Sequence, residues 1–584
     1  MATTSPTYDP LAVDNFPTSS TFSPSPAPSP APLPSYWTRH FSSLLTHQNN
    51  VGPLPVEADV VIIGSGLTGS VAAAHLVDSL IASPVAGKTT RIAVLEARTF
   101  CSGATGRNGG HLTAYPIAHF EALQERYGTD DAIRAVKLED EAIKWLLEVV
   151  HEEGWEEDVD LQEGGGTLVL YDSPTQVSSV RASLAAAAKA GLDATKAKWV
   201  TPAEVKAKWE ADCEGAVMVP GNNLYPLKFV TKLFQRALKR ASFAAAATTS
   251  KGEVAPVELQ LFTHTVVSGV EAFDGKGARW IVRSNRGDIK TSHVLHATNG
   301  YLSSVLPSYT SSPSFPGVLP TRAQVLSLLP TSIPSSSSFS HNWRNALSPS
   351  SSSPGIRVNT YVFRRAYSAA GREAADGRGE IVIGGMREHV KGWEWGVTDD
   401  AEVNEEVGRK LRESLGRSWP GVFELEEDGE EKGRGAVRKE KVKVKVTEEW
   451  TGIMGYREDG NPMVGPVYVD GKKQEGQWVS AGYSGHGMPR APPCARLVAS
   501  LIYHNLTSST STPSSTPTPK PFRLPPHFPR HLLSTPSGRG SPKTHLEEEG
   551  SQGSKGAEET ENGKKTKGRK EEGWVWVKKR DGKM

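Results

Sequence analysis

Residues 60–76 read VVIIGSGLTGSVAAAHL: an apolar run, then Gly64, Gly66 and Gly69 in G-x-G-x-x-G order, then a stretch of small and apolar residues that continues as VDSL. The apolar run has the length and composition of a buried strand, and the residues after the glycines have those of a helix. Gly64 permits the tight turn between them, Gly66 lets the backbone approach a pyrophosphate, and Gly69 lets helix and strand pack closely. The helix N-terminus, with Ser65 and Leu67 in the same turn, then faces the phosphates. The next strand, RIAVLEA, ends in Glu96, which is placed for ribose hydroxyls. Glu96 follows Gly69 by more than the usual ~20 residues, and the loop ASPVAGKTT accounts for the excess. Strand, glycines, helix, strand and acid occur in order, so a dinucleotide site is expected here rather than an empty glycine turn.

The fingerprint alone does not choose between a nicotinamide and a flavin dinucleotide. A second glycine-rich loop, GATGRNGGH at 103–111, follows directly after VLEARTFCS. There it would set small residues and backbone N–H groups beside the pyrophosphate and leave room for a flat ring system. A nicotinamide enzyme does not usually need such a loop. FAD is therefore expected, with an NAD-dependent dehydrogenase and a flavin-containing scaffold without turnover as the alternatives.

Two further glycine motifs fail on inspection. AGKTT at 86–90 has Ala82 where a P-loop needs its first glycine, and it follows a helix instead of a strand. GYSGH at 482–486 has His486 where a hydrolase elbow needs its last glycine.

Both ends of the chain are rich in Pro, Ser and Thr or in mixed charge, too poor in apolar residues to offset ordering entropy. A disordered leader over 1–34 and a disordered tail over 507–584 are expected, and a whole-chain hydrophobic content of 37% agrees. Ser-, Gly- and Glu-rich stretches within 335–355, 369–380 and 426–435 read as surface loops. The sum of 66 Lys and Arg against 65 Asp and Glu leaves no global field for nucleic acid or an anionic membrane. The KKTKGRK run has acidic neighbours and reads as a solvated tail. Three widely spaced cysteines fit neither a disulfide framework nor a metal cluster. No signal peptide or spanning stretch is seen, so a soluble cytoplasmic protein without membrane or nucleic-acid partners is expected.

The remaining pattern predicts an α/β Rossmann-like domain followed by a mixed, largely antiparallel one. The first is assembled from about 57–150, 260–302 and 445–506, and the second from about 151–259 and 303–444. Helices are expected near 175–191 and 226–241, and a last helix through PPCARLVASLIYHNL with both prolines at its start.

The motifs ADVVIIGSGLTG, LEARTFCSGATGRNGGH, SHVLHATNGY, WTGIMGYREDGNPMVGP and WVSAGYSGHGM together resemble the D-amino acid oxidase superfamily of FAD-dependent oxidoreductases. The resemblance runs from about 35 to 506 and is greatest to the branch containing γ-glutamylputrescine oxidase and fungal members. It implies a DAO/glutathione-reductase-like fold and a FAD site that includes Arg98. It also implies flavin contacts from Ala104, Thr105, Arg107, Asn108, Gly109, Gly110 and His111. Val267 would meet the adenine, Ala297 and Thr298 the nucleotide, and Gly485, His486, Gly487 and Met488 the pyrimidine end of the ring. Asn299 lengthens the usual A-T-G, and Arg107 stands where some relatives carry a flavin-linked histidine, so noncovalent FAD is expected. The implied chemistry is oxidation of an amine or amino acid: hydride passes from the α-carbon to flavin N5, the imine hydrolyses, and O2 reoxidises the flavin. His486 would tune charge or touch substrate, Arg107 and Arg365 would pair with a substrate carboxylate, and Tyr361 and Trp450 would wall the pocket.

Overall fold

The computed structural model describes residues 13, 15–17, 22–47, 52–249, 254–309, 317–334, 346–365, 379–426, 441–508 and 522–535, apart from 115, 276, 354 and 355. The apolar run before Gly64 is the strand Glu57–Ile63, central in an eight-stranded sheet. It pairs in parallel with Thr90–Leu95 and with Gly287–His296, and the register sets Ile63 opposite both Leu95 and His296. Three strand ends therefore release their loops along one edge, where open parallel sheets bind ligands. The sheet extends through Val257–Phe262 on one side and through Lys472–Ala481 and Met463–Val469 on the other.

The helix after the glycines, Leu67–Ala82, buries Val71, Leu76, Val77 and Leu80 together with three alanines. It packs between the helices Pro226–Thr249 and Gly487–Ser508, and its small side chains let the three backbones come close. The 25-residue helix Thr129–Glu153 carries Asp130 and Asp131 in its first turn, where acids suit the helix dipole, and stops at Gly154 in the left-handed conformation. The last helix starts at Gly487, earlier than expected, so Pro492 and Pro493 lie inside it. The turn residues themselves wind into its first turn and push the prolines inward.

The second sheet has ten strands among the described residues, most of them antiparallel. Its spine is Val442–Tyr456 against Leu319–Ser332, then Ile381–Gly384 and Tyr361–Arg364. Leu168, Leu326, Val362, Ile383 and Trp419 fill the core on one of its faces. Two strands run across the expected domain boundaries. Val257–Phe262 belongs wholly to the parallel sheet, beside Thr90–Leu95, and Val442–Tyr456 belongs to the second sheet.

One stretch expected to be a loop forms a strand, and two expected to be disordered are docked on the body. Residues 346–353, read as a Ser-rich loop, form a strand parallel to Thr167–Tyr171, because backbone pairing outweighs weak side-chain propensity. Nearly all of 369–380 and 426–435 lies outside the described residues. Within the leader, residues 22–34 are fastened to the body: Ser25 bonds Ser303 and Leu33 N–H donates to Asp400 O at 2.9 Å. Within the tail, residues 522–535 dock on the parallel-sheet side, where Phe528, Leu532 and Leu533 join the main core. In both cases a few well-placed apolar and polar anchors override poor composition. No helix among the described residues is long and apolar enough to cross a membrane.

Candidate active site

Gly64, Gly109 and Gly485 lie in different parts of the chain, yet all three line one cleft of about 710 Å³. That volume suits a cofactor with a small substrate beside it. One end is lined by Gly64, Gly66, Leu67, Glu96, Arg98, Val267, Ala297 and Thr298. Ala104, Thr105, Arg107, Asn108, Gly109 and His111 line the middle, with Gly485, His486, Gly487 and Met488 across from them.

The local reasons are specific. Gly64 has φ +107°, and a Cβ there would meet Ala297 O at 2.7 Å, so the turn tolerates only glycine. Gly69 packs against the Gly64 carbonyl, with a built Cβ only 1.9 Å away, and it does not reach the cleft. A Cβ at Gly66, by contrast, would meet only Thr105 Oγ1 at 3.2 Å and would occupy cleft space. Gly66 caps the following helix without a side-chain hydrogen bond, which leaves a helix N-terminus facing the cleft. The Thr298 hydroxyl, buried in the cleft wall, has no partner among the described residues. The Leu67 N–H donates to Thr105 Oγ1 at 3.1 Å; a helix N-terminus at the cleft, a glycine where a side chain would intrude and an orphaned hydroxyl together fit a bound dinucleotide.

Glu96 accepts Ser65 N–H at 3.1 Å, Ser65 Oγ–H at 2.7 Å and Arg98 N–H at 3.1 Å. Three of roughly four acceptor positions are thus used in holding the turn. Ser65 itself is fully buried behind the cleft, and Gly110 backs onto Trp37 and Leu224. Neither lines it.

Two arginines expected at the substrate face inward instead. Arg107 donates from Nε to Thr451 O at 2.6 Å and pairs with Asp400 at 3.4 Å. Burial lowers its pKa to about 10 against the pull of Asp400. Arg365 does not line the cleft: its guanidinium pairs with Asp160 at 2.5 Å and lies over the rings of Tyr36, Trp37 and Tyr225. Arg98 is taken up in the same way, with Nη1 at 2.9 Å from both oxygens of Asp400. In each case the nearest buried carboxylate captures the charge, which a buried guanidinium requires. Trp450 is core, its Nε1 donating to Arg107 O at 2.8 Å. Tyr361 does line the cleft, close against Gly109 and edge-on to His111 at 5.0 Å. Burial lowers the His111 pKa to about 4, so the imidazole is neutral at neutral pH.

His486 reaches Glu139 at 2.9 Å, and Glu139 also takes Arg490 Nε at 2.7 Å. Burial drives the Glu139 pKa upward, but the charges and hydrogen bonds of His486 and Arg490 outweigh it and hold the carboxyl down at about 2.

Sequence reading missed the far end of the cleft, where Arg387, Glu388, Trp393, Tyr456, Tyr127 and Asn461 join the lining. Arg387 is 6% exposed and stacks 4.3 Å over Trp395 and 4.8 Å over Tyr456. Among the described residues the guanidinium's one hydrogen bond runs from Nη1 to Trp393 O at 2.9 Å, and no carboxylate pairs with it. The signal was the double glycine of IVIGGMR, which ends a buried strand and turns the next residues out of the sheet, with Met386 at φ +65°.

The fold recurs in solved structures of low identity. L-proline dehydrogenase from P. horikoshii matches with TM-score 0.52 and 18% identity, over 77% of this chain and 95% of that one. Glycine oxidase from Geobacillus kaustophilus gives 0.51 and 16% over 79% and 96%, and iminodiacetate oxidase from Chelativorans 0.51 and 17% over 76% and 95%. A probable oxidoreductase, OrdL, from Rhizobium meliloti is 21% identical over 76% of this chain and 83% of its own length. A model of the family described as FAD dependent oxidoreductase matches residues 59–501, the span that holds all three glycine turns, and the chain belongs to that family.

Proposed function

We propose that this flavoenzyme oxidises the carbon–nitrogen bond of a small amino acid or amine that carries a carboxylate, with O2 as final acceptor. The observation that carries the reading is Arg387: a buried guanidinium in the cofactor cleft, held by three aromatic rings and one carbonyl and, among the described residues, left without an anionic partner. A buried cation in such a setting takes an anion, and a guanidinium suits a carboxylate. FAD, when bound, supplies the two-electron acceptor for the α-carbon. Gly64, Gly66, Ala297 and Thr298 would hold its nucleotide end, and Thr105, Asn108, Gly109, Gly485 and Gly487 its ring end.

The protein's share is binding, orientation and exclusion of water. Arg387 fixes the carboxylate, so the α-carbon is held at a set distance along the cleft. Tyr361 and Tyr456 present apolar faces that favour a neutral amine over an ammonium. His111, neutral and packed among rings, adds no charge to that surface. The substrates named for the structural neighbours, proline, glycine and iminodiacetate, all carry a carboxylate beside the nitrogen, which supports this class. The test is an anaerobic panel of amino acids and amines read by bleaching of the flavin absorbance, followed by oxygen uptake. Bleaching by carboxylate-bearing substrates and not by their decarboxylated analogues is the expected result; the reverse order refutes it.

A further inference from the structure

The loop 98–109 that lines the middle of the cleft has only one short turn of regular structure, Ala104–Gly106. Its backbone carbonyls must find donors elsewhere. Two of them find donors in the residues that follow the leader. Ser35 Oγ donates to Gly106 O at 2.6 Å, and Trp37 Nε1 to Asn108 O at 2.5 Å. In return the loop's two arginines hold the leader, Arg98 through Ser29 O at 3.4 Å and Arg107 through Leu33 O. Asp400, fully buried, neutralises both arginines, and its own carbonyl receives Leu33 N–H. Upstream, Ser25 is pinned to Ser303 by two hydrogen bonds of 2.9 and 3.0 Å. Ser303 lies just beyond Thr298 and Asn299, which line the nucleotide end. Between these anchors runs PSPAPSPAPLP, whose prolines fix an extended backbone and carry no N–H that would need a partner. Pro28, midway along it, is itself part of the cleft wall.

From this juxtaposition we propose that residues 22–38 form a clasp on the cofactor site, fastened through Asp400 to the two arginines of the ring-end loop and through Ser303 to the nucleotide end, and that the clasp retains the bound dinucleotide. The inference rests on the cleft being the FAD site. Because the leader's backbone is bound to Arg98, Arg107 and Asp400, which form one charge cluster with the loop, the loop moves only when the leader unfastens. The clasp therefore governs the rate of FAD release more than the chemistry at the far end of the cleft.

Ser25 and Ser303 allow a direct test in the full-length protein. The double variant S25C/S303C is loaded with FAD and compared before and after reduction of the engineered disulfide, following released flavin by its fluorescence after dilution. Release about ten-fold slower in the oxidised form is expected; rates equal within about two-fold overturn the clasp. A second variant lacks residues 2–34 and keeps Ser35. If its circular dichroism matches the full chain, release about ten-fold faster is expected, and an unchanged rate overturns the clasp. If this variant does not fold, the disulfide comparison decides alone. A full-length protein that takes up no FAD overturns the cofactor reading and the clasp with it.

Discussion

Glu139, buried on the long helix Thr129–Glu153, receives Nε2 of His486 at 2.9 Å across the cleft-lining turn. With Arg490 on its other oxygen, one carboxylate ties that helix to the start of Gly487–Ser508. Its carboxyl lies at about 2 in the fold against an ordinary 4.5. A depressed carboxylate contributes stability that is complete above its unfolded value and is lost as pH falls through the folded one. The contribution should therefore fade between about pH 4.5 and 2. Glu139→Gln should cost about 2–3 kcal/mol at pH 7, because it leaves Arg490 without its charge partner. It should also flatten the acid limb of the stability curve. Denaturant melts of both proteins across that pH range check this, and an unchanged acid limb contradicts it.

Gly66 and Gly69 should fail in different ways. Gly66 has φ −65°, and a side chain there meets only Thr105, so Gly66→Val should fold normally while filling the space that a pyrophosphate needs. At Gly69 even one carbon lies 1.9 Å from the Gly64 carbonyl, so Gly69→Ala must spread the turn and should cost several kcal/mol, on the order of 3. Flavin content per chain and the melting temperature separate the two: colourless but stable for Gly66→Val, and destabilised for Gly69→Ala. A yellow Gly66→Val protein contradicts the placement.

How much of this was legible beforehand depended on whether the signal was local. The turn at Gly64 and the strands around it follow from residues adjacent in sequence and stand where their pattern placed them, and the glycine-rich loop 103–111 lines the same cleft. The inward pairing of Arg107 and Arg365 was not legible, because their partners, Asp400 and Asp160, are remote in the chain and nothing local announces them. Arg387 was missed for the converse reason, since it looks like the end of a strand until the fold brings Trp395 and Tyr456 around it. The leader and tail looked disordered because composition averages over residues, whereas Ser25, Phe528 and Leu533 act as single anchors.

Arg387→Met should leave flavin content intact and raise KM for a carboxylate-bearing substrate. The loss in kcat/KM should be about 10²-fold or more, the usual penalty for removing one side of a buried charge pair. Lysine should rescue poorly, because a compact ammonium cannot lie flat against Trp395 and Tyr456 as a guanidinium does. Steady-state kinetics with a substrate identified by flavin bleaching provide the measurement, and equal kcat/KM in Arg387→Met removes Arg387 from the substrate site.

The docked segment 522–535 should contribute more to stability than the polar, charged sequence that follows it. Asp131 accepts the backbone N–H groups of Arg530 and His531 at 3.0 Å each and faces His531 Nδ1 at 2.7 Å. Burial pushes the Asp131 carboxyl up, but the hydrogen bonds from His531 and Arg530 outweigh it and leave it well below the usual carboxylate range. Stability from this contact is thus full above that range and fades only as pH falls below it. His531 also stacks on Tyr127 with ring centroids 3.9 Å apart, and Tyr127 lines the far end of the cleft. Ser534 N–H closes the segment on Val464 O at 2.8 Å. Phe528, Leu532 and Leu533 each contribute about 1.5–3 kcal/mol by burial, so deleting 522–584 should lower the melting temperature markedly and expose Tyr127. Deleting only 536–584 should leave melting temperature and flavin content as they are. Melting curves of the two truncations decide, and equal stability would mean that the docked segment contributes nothing to the fold.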